Sequence, residues 1–334
     1  MSHAAIQGDK ALLKIDNLTL SFKQAAGSVT ALQGVSLELG KGEILGLVGE
    51  SGSGKSLTAL SVMKLLPEQA KFDEGNITLE DMSLKDLSEK EMRKIRGNQV
   101  SMVFQEPMTA LNPLIHVGKQ IEELLFLHKK SSKSERKEKV IQLLKSVGIP
   151  EPELRYRQFP SELSGGMRQR IMIAMALACD PKVIIADEPT TALDVTIQAQ
   201  ILDLLKEIKE KFQTSILLIT HDMGVIADVA DRVAVMYAGR VMEMANAEEL
   251  LERPLHPYTV GLLNSIPDIT SDSEEELNTI RGSVPDLKSM PEGCPFHPRC
   301  DFATEQCKSQ MPPLVQGEDG HAVACWNPVK GEMK

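Results

Sequence analysis

The sequence contains no apolar run that approaches the roughly 20 residues needed to cross a bilayer. Its first ten residues also lack the apolar core of a secretory signal peptide. Basic residues are in deficit, because 37 Lys and Arg stand against 47 Asp and Glu and give a net charge of -10. This charge disfavours non-specific binding to nucleic acid, whose backbone is itself anionic. We therefore expect a soluble cytosolic protein without a nucleic-acid partner.

The composition excludes a disordered, collagen-like or low-complexity chain. Charged residues at 25% and hydrophobic residues at 42% lie close to the averages of globular proteins. At 334 residues the chain is about twice the length of a typical domain, and it shows no internal repeat. Two or three folded units are therefore expected.

Apolar periodicity predicts an α/β fold. Apolar residues alternate with polar ones at 18–22 and 35–39, which indicates half-buried antiparallel strands. The nearly continuous apolar run at 43–48 is typical of a strand covered on both faces. Two more runs of this kind, at 183–186 and 215–220, flank a predicted helix around 198–208, and this order indicates a parallel sheet.

Other segments predict a helical insertion, a hairpin and a linker. Residues 108–179 carry helical patterns, whereas 233–244 resemble a hairpin that turns at Ala-Gly-Arg. The acidic segment 268–276 is poor in apolar residues and is expected to be a linker or solvated loop. Seven prolines beyond it leave little room for long helices or central strands, so the C-terminal part needs something besides a large apolar core to hold it.

A phosphate-binding loop follows the first buried strand. Residues 49–56 read Gly-Glu-Ser-Gly-Ser-Gly-Lys-Ser and match the phosphate-loop pattern at every fixed position, between a strand and a helix. Glycines let backbone N–H groups converge on phosphates at a helix N-terminus. Lys55 should reach the β- and γ-phosphates, and Ser56 should bind Mg²⁺. The candidate ATP-binding residues here are Gly49, Ser51, Gly52, Ser53, Gly54, Lys55, Ser56 and Thr58.

The strand at 183–186 ends in two carboxylates, Asp187 and Glu188. A buried strand seldom ends in paired acids without a cation or a catalytic task. Asp187 would contact the Mg²⁺ of bound ATP through water. Glu188 would polarise the attacking water as a general base.

Residues 163–170, Leu-Ser-Gly-Gly-Met-Arg-Gln-Arg, resemble the signature motif of ABC ATPases. The motif precedes a predicted helix, whose N-terminus is suited to an anion. In this family each ATP lies between the phosphate loop of one subunit and the signature of its partner, so the resemblance implies a dimer. It also implies a RecA-like core with an antiparallel β subdomain and a helical subdomain at about 108–179. The implied signature residues are Ser164, Gly165, Gly166 and Met167.

The resemblance extends to other ABC positions. Gln105 matches the Q-loop glutamine that approaches Mg²⁺, and residues 192–194 match the D-loop, whose Asp194 crosses the dimer interface. His221 matches the switch histidine that contacts the γ-phosphate, so Glu188, His221 and Gln105 form the implied catalytic set. Phe22 is the candidate aromatic for stacking on adenine, although burial at the end of an edge strand explains it as well.

Several segments are similar to the ATPase subunits of oligopeptide and dipeptide importers. They are 104–113, Met167, 256–259, 281–285 and the terminal cysteine region. This similarity implies an ATPase that drives peptide import through transmembrane permease subunits, at the cytoplasmic face of the cell membrane. It places the ATPase domain at 1–260 and a small Cys-rich extension at 261–334.

Three alternatives to this assignment stay open. The second ATPase subunit would be either an identical copy or a paralogue. Within the importer class, nickel transport is a competing activity. Soluble ABC ATPases of DNA repair or translation form another class, but they usually carry long coiled-coil insertions or two ATPase units, which this chain lacks.

Four of the five cysteines crowd into the last 41 residues. Intervals of five, six and seventeen residues separate them, so they lack the tight pairs of structural zinc sites. Four thiolates suit a 4Fe-4S cluster, and the importer branch carries one in its C-terminal extension. Zinc, with His297 or His321 as a further ligand, and metal-free thiols are the alternatives. Cys179 is expected to be buried and inert. The candidate ligands are Cys294, Cys300, Cys307 and Cys325.

Overall fold

The computed structural model describes residues 11–24, 27–106, 110–191, 193–265, 280–317 and 319–329. Its strands are β1 Leu13–Gln24, β2 Gly27–Leu39, β3 Ile44–Val48, β4 Ala70–Leu79, β5 Met82–Ser83, β6 Val100–Val103, β7 Val183–Asp187, β8 Ser215–Thr220, β9 Arg232–Tyr237, β10 Arg240–Asn246, β11 Val315–Gln316 and β12 Ala322–Val323. Its helices are α1 Lys55–Val62, α2 Glu89–Ile95, α3 Val117–His128, α4 Lys133–Ser146, α5 Pro152–Arg155, α6 Gly165–Leu177, α7 Val195–Phe212, α8 Met223–Val229, α9 Ala247–Glu252, α10 Pro257–Asn264 and α11 Glu305–Ser309. Short 3₁₀ turns lie at Pro160–Glu162, Leu287–Ser289 and His297–Arg299.

The chain divides into two compact units. The first contains residues 1–40, 44–85 and 220–334, and the second contains 41–43 and 86–219. The first unit thus combines the phosphate loop with the C-terminal part of the chain. The predicted boundary between residues 260 and 261 stays a prediction.

An antiparallel sheet of order β2-β1-β4-β5 lies in the first unit. The pairing of Leu13 with Leu39 and of Ile15 with Leu37 sets the register of β1 and β2. Apolar residues of both strands are buried, which confirms the alternation predicted at 18–22 and 35–39. Burial of one face fixes such a register, because a slip of one residue would expose the apolar side chains.

A second set of strands in the first unit begins with β3, which is buried at every residue as predicted. It pairs in parallel with β9, and β9 turns through Ala238 and Gly239 into antiparallel β10, which confirms the predicted hairpin. A Cβ on Gly46 would lie 2.4 Å from the Ile226 side chain, so the absence of a side chain there lets α8 pack closely on β3. β12 of the C-terminal segment then adds to β10, so that segment extends the sheet.

The second unit contains the parallel strands β6, β7 and β8. β7 pairs with both of the others in parallel, and α7 connects it to β8, as the predicted β, helix, β order requires. The described part of the predicted insertion, from residue 110 onward, contains α3, α4, α5 and α6. Residues 108 and 109 of that insertion and the predicted linker at 268–276 lie outside the described residues.

Candidate nucleotide site and cysteine pocket

The phosphate loop connects β3 to α1 and curls around a lysine. The Lys55 ammonium donates to the Gly49 carbonyl at 2.6 Å and to the Glu50 carbonyl at 3.0 Å. A Cβ on Gly49 would lie 2.1 Å from the Met236 carbonyl oxygen, so only glycine fits there. Gly54 has a φ of 104°, a left-handed value that glycine adopts without strain. These contacts close the loop at the N-terminus of α1, where free N–H groups favour an anion.

The remaining candidate ATP residues of the loop divide by exposure. Ser51, Gly52 and Ser56 are exposed, whereas Ser53 and Thr58 are buried. The Thr58 hydroxyl donates to the Gly54 carbonyl at 3.0 Å, which ties it to the first turn of α1. The exposed residues are therefore the ones placed to meet a ligand from solvent.

Two residues of the C-terminal part hold the loop at Glu50. The backbone N–H of Glu50 donates to the Tyr258 hydroxyl oxygen at 2.8 Å. The Glu50 carboxylate accepts two hydrogen bonds from Arg299, at 2.6 and 3.0 Å. Neither contact was predicted from the sequence, and no sequence signal connects positions 50 and 299. Tyr258 stood out only as part of the importer-like segment 256–259.

Glu188 follows β7 in the second unit with a positive φ of 46°. Its Oε2 accepts hydrogen bonds from the Gln105 amide and from the Thr191 hydroxyl, each at 2.9 Å. The structure thus joins two predicted catalytic residues and adds Thr191, which the sequence did not single out. Asp187, the last residue of β7, is 6% exposed. A carboxylate held by two donors is fixed in direction, as a general base must be.

The signature turn and the D-loop lie together in the second unit. Ser164 caps α6 by accepting a hydrogen bond from the Met167 N–H, and Asp194 caps α7 by accepting one from the Ile197 N–H at 2.9 Å. A Cβ on Gly166 would lie 2.8 Å from an Ile197 methyl group, so glycine permits this close approach. Ser164 and Gly165 are exposed. Ala192 of the D-loop lies outside the described residues.

Two other predicted site residues, His221 and Phe22, lie in the first unit. His221 is exposed at the end of β8, directly before the turn in which Asp222 caps α8. Phe22 lies near the end of β1, half-buried and paired with Val29 of β2. Its partial exposure is compatible with adenine stacking and with edge-strand burial alike.

The four C-terminal cysteines line one pocket, together with the rings of Phe296, Phe302 and Trp326. All four are free thiols, and Cys179 is buried elsewhere, as predicted. Burial raises the pKa of Cys294 and of Cys325 to about 11. Cys294 and Cys325 are therefore neutral thiols at neutral pH unless a cation favours the thiolates. Within the described ranges, no group of three or more His, Cys, Asp or Glu is placed to hold a metal ion.

Hydrogen-bond donors surround the sulfur atoms. Three sulfurs accept a backbone N–H from the residue two positions further on: Cys294 from Phe296, Cys300 from Phe302, and Cys325 from Asn327. Such N–H···S bonds favour the thiolate form and are typical of metal-thiolate sites.

His256 lines the same pocket and is 1% exposed. Its Nδ1 accepts a hydrogen bond from the Tyr258 N–H at 3.0 Å, so the proton of the neutral ring is on Nε2. Burial lowers the pKa of His256 to about 4, which keeps the ring neutral near pH 7. Among the residues that the structure describes, Nε2 has no hydrogen-bond partner. The ring therefore offers an unused N–H donor at the cysteine pocket.

Comparison with known proteins decides the family. Residues 32–191 match the model of the ABC transporter family, and residues 242–307 match that of the oligopeptide/dipeptide transporter C-terminal region. The oligopeptide transport ATP-binding protein OppD of Bacillus subtilis (strain 168) is 54% identical over 94% of this chain and 88% of its own length. The chain belongs to the ABC transporter family. OppD of Escherichia coli (strain K12) is 49% identical to this ABC protein, over 98% of this chain and 96% of its own length.

Solved structures confirm the predicted ABC ATPase fold. The ATP-binding cassette MJ0796, solved as a dimer in a post-hydrolysis state with ADP and Pi, has a TM-score of 0.63 and 32% identity over 70% of this chain and 98% of its own. CbiO1 from Clostridium perfringens, part of the ABC transporter complex cbiONQ, has a TM-score of 0.62 and 28% identity over 72% of this chain and 91% of its own. This ABC protein is therefore an ATPase. In its described part, none of the helices has the length and apolar character of a membrane span.

Proposed function

We propose that the chain is the ATP-hydrolysing subunit that drives import of dipeptides or oligopeptides through a transmembrane permease. The match of residues 242–307 to the oligopeptide/dipeptide transporter C-terminal region carries this proposal. Relatives named as oligopeptide transport ATP-binding proteins, matched over more than nine tenths of the chain, support it. The subunit would act at the cytoplasmic face of the cell membrane, without nucleic acid. Its ATPase domain would span 1–260 and its extension 261–334.

Each proposed site residue would have its own role in ATP binding or hydrolysis. Lys55, now held by two loop carbonyls, would turn to the β- and γ-phosphates when ATP binds. Ser56 and Gln105 would bind Mg²⁺, Asp187 would reach it through water, and Glu188 would activate the attacking water. His221 would contact the γ-phosphate, and Phe22 would stack on adenine.

Hydrolysis would require a second subunit, either a copy of this chain or a paralogue. The exposed Ser164 and Gly165 at the start of α6 leave free N–H donors at a helix N-terminus, where a partner's ATP would be held. Gly166 and Met167 would complete this cradle, and Asp194 would lie at the interface. The structure of the similar MJ0796 cassette is that of a dimer, which supports this arrangement.

The four cysteines would hold a 4Fe-4S cluster. Convergence of four free thiols on one pocket and the three N–H···S bonds suit this group. The unused N–H of His256 would donate to a cluster sulfur. Zinc would need its ligands about 2.3 Å from one point. A cluster spreads its ligands more widely, and its iron–thiolate bonds would add to the contacts that already hold the C-terminal segment.

Growth on peptides tests the transport proposal. Deletion of the gene in an amino-acid auxotroph should abolish growth on a peptide that contains the required amino acid, while growth on the free amino acid continues. The wild-type gene should restore growth on the peptide, and Lys55→Ala should not. Unimpaired growth on di- and oligopeptides, together with loss of a nickel-dependent enzyme activity, would instead establish nickel transport.

Anaerobic purification tests the cluster. The chain should contain about four iron and four sulfide per polypeptide, with a broad visible absorption band. Replacement of Cys294 or Cys325 by Ser should remove the iron and sulfide together with the absorption band. Zinc at one equivalent in the wild type, without sulfide, would refute the cluster and leave the transport proposal intact.

A further inference from the structure

Arg299 stands one residue before Cys300, yet its side chain reaches the phosphate loop. The guanidinium donates to both carboxylate oxygens of Glu50, at 2.6 and 3.0 Å. Only 5% of the Arg299 side chain is exposed. A planar guanidinium that engages both oxygens forms one of the strongest ion pairs available to side chains, and it also fixes the direction of the carboxylate.

Other groups of the first unit fix the guanidinium itself. Its Nε donates to the Arg281 carbonyl at 2.7 Å, and the charged carbon lies 5.7 Å from the centre of the Tyr237 ring and 5.9 Å from that of Phe296. Both distances are within the range of cation–π attraction. Arg299 therefore has little freedom to leave Glu50.

Glu50 is the second residue of the phosphate loop, so this contact acts at the nucleotide site. Its backbone N–H is bound by Tyr258, and its carbonyl accepts from the Lys55 ammonium. The loop is thus held at one residue through its side chain, its N–H and its carbonyl. Without Arg299, a carboxylate in this loop would repel the phosphates that the loop must receive.

We propose that Arg299 is a positioning residue for ATP: by fixing and neutralising Glu50, it lets the cysteine-bearing segment set the affinity of the phosphate loop. Arg299 would act through Glu50 and not by contact with the nucleotide. The inference rests on ATP binding at the loop and on no metal, so it stands whether or not the cysteines hold a cluster.

Equilibrium dialysis of MgATP against the purified full chain tests the proposal. Arg299→Ala should weaken binding at least about 5-fold, the lower end of the usual coupling between two sites. Lys308→Ala is the matched control, because Lys308 forms an ion pair with Glu305 in the same segment with both side chains largely exposed. Its affinity should equal that of the wild type.

Adding Glu50→Gln to Arg299→Ala separates positioning from simple stability. This second change removes the unpaired charge, so the double variant should bind MgATP more tightly than Arg299→Ala alone. The proposal would be overturned if the MgATP affinity of Arg299→Ala were within twofold of the wild-type value, or if the double variant bound MgATP no more tightly than Arg299→Ala. If Arg299→Ala does not fold, Arg299→Lys is tested instead, because lysine keeps the charge but not the two-point contact. An MgATP affinity of Arg299→Lys equal to that of the wild type would then refute the inference.

Discussion

Replacement of Glu188 by Gln tests the assignment of the general base. The carboxylate Oε2 accepts hydrogen bonds from Gln105 and Thr191, and the amide oxygen of glutamine can accept both. The variant should therefore keep the local geometry and lose only the basic oxygen. A positioned general base contributes about 10²- to 10⁴-fold to a rate, and each tenfold change is about 1.36 kcal/mol. The activation barrier should thus rise by roughly 2.7 to 5.4 kcal/mol.

The assay is phosphate release under single-turnover conditions by this chain together with its second ATPase subunit, with MgATP binding measured in parallel. Glu188→Gln should bind ATP as the wild type does and release phosphate at least about 100-fold more slowly. Thr191→Val is the matched control, because it removes one hydrogen bond and leaves the base with Gln105. Its rate of phosphate release should fall by less than about tenfold, since one donor still directs the carboxylate. Hydrolysis by Glu188→Gln within tenfold of the wild-type rate would refute the assignment.

Two further changes test the anchoring of the C-terminal segment and the signature. His321→Ala removes the 2.7 Å contact to the fully buried Glu243 carboxylate. Urea denaturation should therefore show that the free energy of unfolding falls by about 2 to 3 kcal/mol. The control Lys14→Ala breaks an exposed ion pair and should lower the free energy of unfolding by under about 1 kcal/mol. Gly166→Ala brings a Cβ within 2.8 Å of an Ile197 methyl group, so phosphate release should fall while dialysis shows ATP binding at the phosphate loop unchanged. Equal stability of His321→Ala and Lys14→Ala, or full hydrolysis by Gly166→Ala, would contradict these expectations.

The sequence predicts the phosphate loop between β3 and α1, and the covered strands β3, β7 and β8, because their determinants are local. The glycines at 49–54 act within one turn of chain, and the apolar run at 44–48 encodes a covered strand by itself. The hairpin at 233–244 likewise depends on neighbouring residues. In each case the pattern and the structure that it specifies occupy the same few positions.

Contacts between distant side chains could not be predicted in this way. Arg299 and Glu50 are 249 positions apart, and neither position carries a pattern that names its partner. Thr191 is only three positions from Glu188, yet its hydrogen bond depends on the positive φ that turns Glu188 after β7. Such pairings follow from tertiary structure, which a single sequence does not display.

The C-terminal segment shows most clearly what the sequence pattern leaves out. Its prolines and few apolar residues indicated that something besides a large apolar core must hold it, and the structure shows which contacts do so. The ring of Phe296 packs 5.3 Å from both Tyr237 and Tyr258, β12 pairs with β10, and Arg299 binds Glu50. These contacts stabilise the segment independently of the cysteines. Loss of a cluster would therefore release the thiols but leave the segment attached, and ATP affinity would follow the Arg299 contact more closely than the metal content.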